Sequence, residues 1–315
     1  MRILVVSFFY PPSRGGIESA TATLAEALAG CGHDVVVATA TPGPACRLRH
    51  GRGSVTVLRR PGLLAVLAHA LRSRAVIHST ISLRLAALVP LLPIRQLLWL
   101  HNRRSSGLPQ RLFALRCRRA AVSRTLAADW SRPVGRLPNP LDPLFLESAP
   151  VERDREVLFV GRLAAVKGLD VLLRALANGP ASLTVIGDGP QHDKLVALAG
   201  ALGLGGRIRW LGAQPIAAVA AEMRRHRVLA VPSRDETFGL SAREGLACGC
   251  RVVASDVGAL RETLGDAAVL VPADDPPALA EALRAALAIT TPQLPVVHAD
   301  SSPAAVARRA LALLR

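Results

Sequence analysis

The sequence predicts an α/β protein that contains two doubly wound domains. Short apolar runs of strand length alternate with segments whose apolar residues recur at helical spacing, and this alternation occurs both before and after a proline-rich stretch at 137–143. The 315 residues are enough for two domains of ordinary size, each with its own core. Because 50% of the residues are hydrophobic, the composition argues against disorder and favours helices packed on buried parallel strands.

The first series begins as a doubly wound sheet does. An apolar run at 2–9 leads to a turn with Gly16, a helical pattern at 17–29 and a second strand at 35–39. Gly16 stands just before a helix N-terminus, where a ligand can approach the backbone, although double glycines also mark ordinary turns. We expect the rest of this domain as strands at 55–58, 75–78, 96–100 and 120–122 and as helices at 63–71, 82–92, 108–116 and 125–130.

His101 is the second candidate binding residue of the first series. It comes directly after the strand at 96–100, and the carboxyl edge of an α/β sheet is where such proteins present ligand-binding residues. Position alone leaves open whether this histidine binds a ligand.

The second series follows a predicted linker. Residues 137–143 and 147–154 show no periodicity, and the first of these stretches is rich in proline, so we interpret them as the connection between domains. The elements expected after it are strands at 157–160, 182–186, 208–211, 228–231, 252–254 and 268–271 and helices at 169–176, 191–202, 217–225, 277–288 and 303–314.

A glycine-flanked loop at 161–168 carries Arg162 and Lys167. The chain contains 37 arginines and only two lysines, so a lysine in this loop runs against the bias of the sequence. A compact ammonium group delivers a point charge to phosphate whereas a guanidinium offers a planar fork, and the two together suit a diphosphate. With only two lysines in the chain, chance is the alternative.

Residues 231–255 combine two acids with a helix start. Glu236 precedes a helix that opens near Gly239, and Glu244 lies about two turns inside it. The free backbone amides of a helix N-terminus attract anions or sugar hydroxyls, and two carboxylates can hold a polar ligand. The alternative is that Glu236 complements the helix dipole and that Glu244 is a solvated helix residue.

The net charge of +16 is unevenly distributed. Residues 1–150 contain 20 arginines against six acids, whereas residues 151–315 contain 19 basic residues against 17 acids. We interpret the first half as a surface that meets polyanions, namely anionic lipid head groups or phosphorylated carriers, with nucleic acid disfavoured. A basic face that only meets solvent is the alternative.

The cysteines and the apolar segments bear on location. The spacing of the five cysteines does not suit a metal site, and Cys248 and Cys250 are interpreted as buried small residues. The odd cysteine count and the lack of a signal-peptide pattern predict a cytoplasmic setting. The apolar region 62–100 is broken by arginines and prolines, and no run reaches the roughly 20 residues that span a bilayer. We therefore expect a protein that can lie on a membrane without crossing it.

Taken together, these stretches resemble the retaining GT-B glycosyltransferases of the group 1 type, glycosyltransferase family 4. The residues that carry the resemblance are 10–18 (YPPSRGGIE), 32–37 (GHDVVV), 161–162 (GR), 167–168 (KG), 187–190 (GDGP) and 232–244 (PSRDETFGLSARE). The last of these contains two glutamates separated by seven residues, and the motifs occur in the order typical of the family.

The resemblance implies two Rossmann-like domains that face each other across a cleft. It places an acceptor-side domain at 1–147, a nucleotide-sugar-binding domain at 148–300 and a C-terminal helix at 301–315 that packs back on the first domain. It also implies a UDP- or GDP-type sugar donor, a glycan or lipid-linked acceptor, retention of anomeric configuration, and neither a cofactor nor a catalytic metal.

Site residues follow from the resemblance by position. Arg162 and Lys167 resemble the ligands of the donor diphosphate, and Gly187 belongs to the matching glycine turn. Glu236 resembles the residue that contacts the transferred sugar, together with His101. The other implied contacts are the amides of Phe238, Gly239 and Leu240 to the sugar, Glu244 to the ribose, and the backbone of Gly16 to phosphate.

Two other functions stay open at this point. A nucleotide-sugar epimerase on the same fold would change the donor without an acceptor, and a non-catalytic scaffold on a membrane would use only the basic first half. The sequence does not identify the sugar, the nucleobase, the acceptor or the oligomeric state.

Overall fold

The computed structural model describes residues 1–13, 15–80, 82–103, 116–130, 134–147 and 151–315. The chain forms two compact units. Unit 1 comprises Met1–Asp142 together with His298–Arg315, and unit 2 comprises Pro143–Val297. The change of unit thus falls at Asp142, and the chain returns to unit 1 at His298, a few residues before the positions expected from the sequence.

Unit 1 contains an eight-stranded sheet in the order β3-β4-β2-β1-β5-β6-β7-β8. All neighbouring strands pair in parallel except β3, which pairs antiparallel with β4 at the edge. Its strands are β1 (Arg2–Ser7), β2 (Asp34–Thr39), β3 (Cys46–His50), β4 (Gly53–Arg59), β5 (Ala75–His78), β6 (Arg95–Leu100), β7 (Arg118–Ala121) and β8 (Gly135–Arg136).

The described helices of unit 1 are α1 (Gly16–Gly30), α2 (Leu63–Leu71), α3 (Leu83–Ala86) and α4 (Arg124–Ala128), together with α12 (Pro303–Leu313) at the end of the chain. Helix α12 packs against α1. The Arg118 guanidinium donates a hydrogen bond to the Leu313 carbonyl, and the Leu141 amide donates one to the Ser301 carbonyl. These bonds attach the last segment of the chain to unit 1.

Unit 2 contains a six-stranded, wholly parallel sheet in the order β11-β10-β9-β12-β13-β14. This order is that of a doubly wound sheet, in which the strand order reverses between the first strand and the fourth while all strands stay parallel. Its strands are β9 (Arg155–Val160), β10 (Leu183–Ile186), β11 (Ile208–Trp210), β12 (His226–Val231), β13 (Arg251–Ser255) and β14 (Ala268–Val271). The reversal therefore lies between β9 and β12.

Helices cover both faces of this sheet. They are α5 (Pro143–Leu146), α6 (Leu169–Leu176), α7 (His192–Ala201), α8 (Ile216–Arg225), α9 (Leu240–Ala247), α10 (Leu260–Leu264) and α11 (Pro276–Ala288). Helix α6 packs against α7 and α11, whereas α9 packs against α5 and α8. The strands are consequently apolar on both sides, which explains why they read as continuous hydrophobic runs in the sequence.

Three segments differ from the sequence-based expectation. The helix expected at 82–92 is replaced by α3 and a 3-10 turn at Val89–Leu91, because Pro90 cannot continue an α-helix. Strand β3 was not expected, since its polar residues lie on an exposed edge. Residues 137–141, interpreted as linker, instead belong to unit 1, where Leu137 and Leu141 are buried. Nearly all of the helix expected at 108–116 lies outside the described residues.

Cys248 and Cys250 are buried in unit 2, as the sequence indicated. The Cys250 thiol donates to the Met223 carbonyl over 2.9 Å, and burial raises the pKa of Cys250 to about 11. These two thiols are therefore packing residues. None of the described helices is long and apolar enough to cross a membrane.

His78 is a polar residue in the centre of unit 1. It ends β5 fully buried, and its Nε2 lies 2.9 Å from Oε1 of Gln96, whose amide nitrogen donates to the Val89 carbonyl. Burial lowers the pKa of His78 to about 4, and the Gln96 hydrogen bond offsets this only in part. The imidazole is therefore neutral in the folded chain at pH 5–7.

We expect acid to destabilise unit 1 through His78. In the unfolded chain a histidine has a pKa of about 6.5, so the unfolded state binds a proton that the folded state does not bind until about pH 4. The free energy of unfolding should fall as the pH falls, by roughly 2 kcal/mol for this group between pH 7 and pH 5. In urea unfolding, the free energy of unfolding of His78→Asn should depend less steeply on pH than that of wild type. His192→Asn, a control whose side chain is 44% exposed, should show the same pH dependence as wild type. Equal slopes for wild type and His78→Asn would contradict this account.

Candidate functional site

The loop at 161–168 and the turn at 187–190 pack backbone against backbone. The Gly161 amide donates to the Ile186 carbonyl over 3.0 Å, and the Leu163 amide donates to the Asp188 carbonyl over 2.9 Å. Gly187 has φ of 143°, and a Cβ atom there would lie 1.8 Å from the Gly161 carbonyl oxygen. Only glycine fits this approach, so Gly187 supports the loop after β9 through its backbone.

This loop presents both of its predicted phosphate ligands. Arg162 is exposed, and its guanidinium makes no hydrogen bond or ion pair with the part of the chain that the structure describes. Lys167 ends a 3-10 turn at Ala165–Lys167. The following Gly168 has φ of 65°, and a Cβ atom there would lie 1.8 Å from the Pro232 carbonyl oxygen. Close packing against the chain after β12 therefore fixes the position of Lys167.

Lys167 and Glu236 form an ion pair. Nζ of Lys167 lies 2.5 Å from Oε1 of Glu236, and the Ser233 hydroxyl donates to the same oxygen over 3.1 Å. The side chains are 29% and 10% exposed. Among the described residues, none donates a hydrogen bond to Oε2 of Glu236. The carboxylate is thus held by one oxygen, and the other can accept a hydrogen bond from a ligand.

The pair lies where ligands bind in doubly wound sheets. Lys167 follows β9 and Glu236 follows β12, and these are the neighbouring parallel strands between which the strand order reverses. Loops at this edge diverge and leave a crevice at the carboxyl ends of the strands. The topology of unit 2 therefore brings together two residues that are 69 positions apart in the chain.

Helix α9 begins beside Glu236. Gly239, with φ of 77°, precedes Leu240, the first helical residue, and the helix has no side-chain cap. The Phe238 ring is buried beneath the Arg243 guanidinium, 5.1 Å from its centroid, and the Phe238 carbonyl accepts a bond from the Thr263 hydroxyl. Because the first amides of a helix have no intrahelical partner, this N-terminus offers donors to an anion or a hydroxyl.

Glu244 lies on the second turn of α9 and is 8% exposed. A solvated helix residue would be far more exposed, so the alternative assignment made from sequence is wrong for this residue. Its predicted role as a ribose contact stays a prediction.

Unit 1 holds the other two predicted residues. Gly16 is the first residue of α1, and Gly15 before it has no side chain with which to cap the helix. His101 follows β6 and is 6% exposed, with Nε2 3.3 Å from the Ser79 hydroxyl, which in turn lies 2.6 Å from the Thr21 hydroxyl of α1. These contacts connect the end of β6 to the helix that begins at Gly16.

Burial determines the protonation state of His101. It lowers the pKa of His101 to about 3, against the opposing effect of a hydrogen bond with Asn139. The imidazole is therefore neutral near pH 7, and it can take part in hydrogen bonds without supplying a positive charge. The predicted contact of His101 with the donor sugar stays a prediction.

Arg234 is a residue of this site that the sequence analysis missed. Its guanidinium forms two hydrogen bonds to Asp170, at 2.9 and 2.8 Å, and one to Asp274 at 2.7 Å. Its side chain also donates to the Ala165 carbonyl, and its amide donates to the Val166 carbonyl over 2.8 Å. Arg234 thus joins the loop that carries Lys167 to the segments after β12 and β14.

Arg234 also lines a cavity and lowers the pKa of Asp170. Arg234 and Asp170 line a cavity of about 290 Å³, which extends to Gln191 and Lys194 on the α7 side. The hydrogen bonds from Arg234 hold the pKa of Asp170 below its usual value, in spite of an opposing effect of burial. No spacing in the sequence connects Arg234 with Asp170 or Asp274. The one signal the sequence offered is that Arg234 is a basic residue inside the 232–244 motif.

We expect Arg234→Leu to loosen the loop that carries Lys167. The free energy of unfolding should fall by about 1 kcal/mol, since the pairs are partly exposed, and amide exchange should accelerate over 161–168. Hydrogen exchange measured by mass spectrometry tests this. Arg261→Leu, which removes the exposed ion pair with Asp256 in the same unit, is the matched control. Unchanged protection of 161–168 in Arg234→Leu would show that the contacts do not hold the loop.

Comparison with known proteins shows which family residues 144–294 match. Residues 144–294 match the family described as Glycosyl transferases group 1. The D-inositol 3-phosphate glycosyltransferase of Mycolicibacterium gilvum is 42% identical over 137 residues, which cover 41% of this chain and 31% of that protein. The Mycobacterium tuberculosis (strain ATCC 25177 / H37Ra) enzyme of the same name is 40% identical over 123 residues, covering 37% of this chain and 25% of that protein. The chain thus spans about a third or less of the length of these relatives.

Solved structures share the fold of the whole chain. Anabaena Alr3699/HepE in complex with UDP-glucose superposes with a TM-score of 0.77 at 18% identity, covering 99% of this chain and 94% of that one. Sucrose-phosphate synthase from Thermosynechococcus elongatus gives 0.71 at 22% identity over 100% and 95%. WaaG, a glycosyltransferase involved in lipopolysaccharide biosynthesis, gives 0.71 at 18% identity over 91% of each chain. Residues 144–294 thus match the group 1 glycosyltransferase family, and the two parallel-sheet domains of the chain have the GT-B fold of the solved structures.

Proposed function

We propose that this chain transfers a sugar from a nucleotide-diphosphate donor to a lipid-linked or cell-envelope acceptor, with retention of configuration and without a catalytic metal. The observation that carries the proposal is the Lys167–Glu236 pair, which lies where the strand order of unit 2 reverses. The exposed Arg162 lies on the same loop as Lys167. Two cations, a carboxylate and a helix N-terminus form one polar site, which suits the diphosphate and sugar of such a donor.

The chemistry requires charge stabilisation more than a nucleophile. As the glycosidic bond to the donor breaks, the leaving diphosphate gains negative charge, which Arg162, Lys167 and the first amides of α9 would stabilise. Glu236, held through Oε1, would accept a hydrogen bond from a sugar hydroxyl through Oε2, and the amides of Phe238, Gly239 and Leu240 would donate to the sugar. Same-face departure and attack then account for retention.

The remaining assignments complete the proposal. Glu244 would accept bonds from the ribose hydroxyls, Gly16 would offer its backbone to phosphate, and neutral His101 would contact the donor sugar. No cofactor is needed for this reaction, because the nucleotide sugar supplies both the leaving group and the electrophile. We propose a cytoplasmic location and no nucleic-acid partner.

Similar proteins support the donor class and an envelope acceptor. HepE binds UDP-glucose, which favours a UDP-type sugar over a GDP-type sugar. The mycobacterial relatives are D-inositol 3-phosphate glycosyltransferases, and WaaG is involved in lipopolysaccharide biosynthesis. A phosphorylated or lipid-linked acceptor fits the arginine-rich sequence of residues 1–150.

A donor should stabilise the folded chain. A nucleotide sugar at about 100 times its Kd should add about 2.7 kcal/mol to the stability, because it binds only the folded state. A thermal-shift screen of UDP and GDP sugars would identify the donor and would leave a non-catalytic scaffold without a ligand. Loss of the shift in Lys167→Ala, with Arg284→Ala as an exposed control on α11, is expected. A full shift in folded Lys167→Ala would remove this residue from the site.

Transfer should depend on the same residues. We expect Lys167→Ala and Glu236→Ala to lower kcat/KM by about 10²-fold or more, since each removes a charged contact to the transition state. Circular dichroism must show that both variants are folded, and Arg284→Ala should keep wild-type kcat/KM. Full activity in either site variant would contradict the assignment.

The stereochemistry of transfer and the need for a metal can each be measured. Proton NMR of the product should show the anomeric configuration of the donor, and EDTA should leave the rate unchanged, because Arg162 and Lys167 supply the positive charge. An inverted product or a rate abolished by EDTA and restored by Mg²⁺ would refute this mechanism. Conversion of the donor to an epimer without acceptor would indicate an epimerase.

A further inference from the structure

Helix α2 carries its large apolar residues on the outside. Val66 and Ala70 form its buried face, whereas Leu64 is 82% exposed and Leu71 is 63% exposed. Leu64 and Leu71 are seven residues apart, so they lie on one face of the helix, and the half-buried Leu67 lies between them. A helix that only covered the sheet would place its leucines inward and polar residues outward.

The neighbouring segment extends this apolar surface. Helix α2 lies beside α3 and the 3-10 turn at Val89–Leu91. In that segment Leu88 is 46% exposed and Leu91 is 61% exposed. We call Leu64, Leu71, Leu88 and Leu91 together the leucine surface. Four exposed leucines on adjacent elements exceed the scattered apolar residues of an ordinary surface.

The charge around the leucine surface has one sign. Residues 35–128 contain 16 arginines and no aspartate or glutamate. Arg60 precedes α2, Arg72 and Arg74 follow it, and Arg95 follows the 88–91 segment; all four are exposed. Within the ranges that the structure describes, none of them forms an ion pair. These guanidinium groups are available to phosphate groups of a partner.

His69 lies near the carboxyl-terminal end of α2, close to two arginines. Its Nδ1 lies 2.6 Å from a guanidinium nitrogen of Arg2. Partial burial lowers the pKa of His69, and the charges of Arg2 and Arg72 lower it further. Arg2 and Arg72 therefore place positive charge beside the carboxyl-terminal end of α2.

This combination selects one class of partner. A second copy of the chain would bring arginines against arginines with no acids between them, which disfavours self-association through this surface. A bilayer with anionic head groups meets both requirements, since phosphates pair with the arginines and leucine side chains enter the boundary between head groups and acyl chains. We infer that the leucine surface and its flanking arginines dock unit 1 on an anionic membrane.

The inference deepens the proposed transfer to a lipid-linked acceptor, because docking would hold unit 1 at the surface where such an acceptor resides. It differs from a purely electrostatic association, which salt would abolish. Insertion of leucines adds a component that salt does not screen.

Vesicle co-sedimentation of the full chain tests the surface without any sugar donor. Wild type should bind phosphatidylcholine vesicles that contain about 30% phosphatidylglycerol, and should bind pure phosphatidylcholine far less. Leu64→Gln/Leu71→Gln should lower the partition coefficient by about 10-fold or more, because two exposed leucines no longer leave water. Arg72→Gln/Arg74→Gln should lower it at low salt only, by about 5-fold for each arginine.

Matched variants distinguish membrane docking from general surface hydrophobicity and from self-association. Ile289→Gln/Leu294→Gln removes two exposed apolar residues of unit 2 and should bind as wild type does. Equal binding by Leu64→Gln/Leu71→Gln and wild type, or no binding of wild type to anionic vesicles at low salt, would overturn the inference. So would a wild-type dimer, seen by light scattering, that Leu64→Gln/Leu71→Gln converts to a monomer while vesicle binding is absent. Because the assay needs no donor, its failure leaves the donor-binding test of the proposed function intact, and the reverse also holds.

Discussion

The Lys167–Glu236 ion pair is the contact on which the candidate site of this protein depends. It joins the loops that follow two neighbouring parallel strands, β9 and β12, at the place where the strand order of the sheet reverses. A partly buried ion pair adds little to stability, because desolvation offsets the attraction between the charges. Its value here is geometric, since it holds a cation and a carboxylate side by side at the edge of the sheet that binds ligands.

Close backbone packing and a third charged side chain hold the segments that carry Lys167 and Glu236. Gly168 and Gly187 permit carbonyl oxygens to approach where any side chain would collide. Arg234 then binds Asp170, Asp274 and the backbone of the Lys167 loop, so that three separate segments share one anchor. Arg162 lies on the same loop as Lys167 and is exposed.

The two units differ in their charge and in their surfaces. Unit 2 has nearly balanced charge, and its Lys167–Glu236 pair lies after the carboxyl ends of two strands of its parallel sheet. Unit 1 has a long acid-free stretch and exposes leucines on α2. It nevertheless keeps a polar interior, in which His78 and His101 are neutral because burial disfavours their charged forms.

Most elements of the fold could be predicted from local pattern alone. Strands buried on both faces read as apolar runs, and helices such as α2 and α6 have the bounds that their spacing indicates, because those signals are local. The motif residues Arg162, Lys167, Glu236 and Glu244 could likewise be singled out from their residue types and order. What could not be obtained this way depends on contacts between distant parts of the chain. The pairing of Lys167 with Glu236, the role of Arg234, the burial of Glu244 and His101, and the outward leucines of α2 all follow from which strands are neighbours and which helix faces they cover, and no local pattern encodes those neighbours.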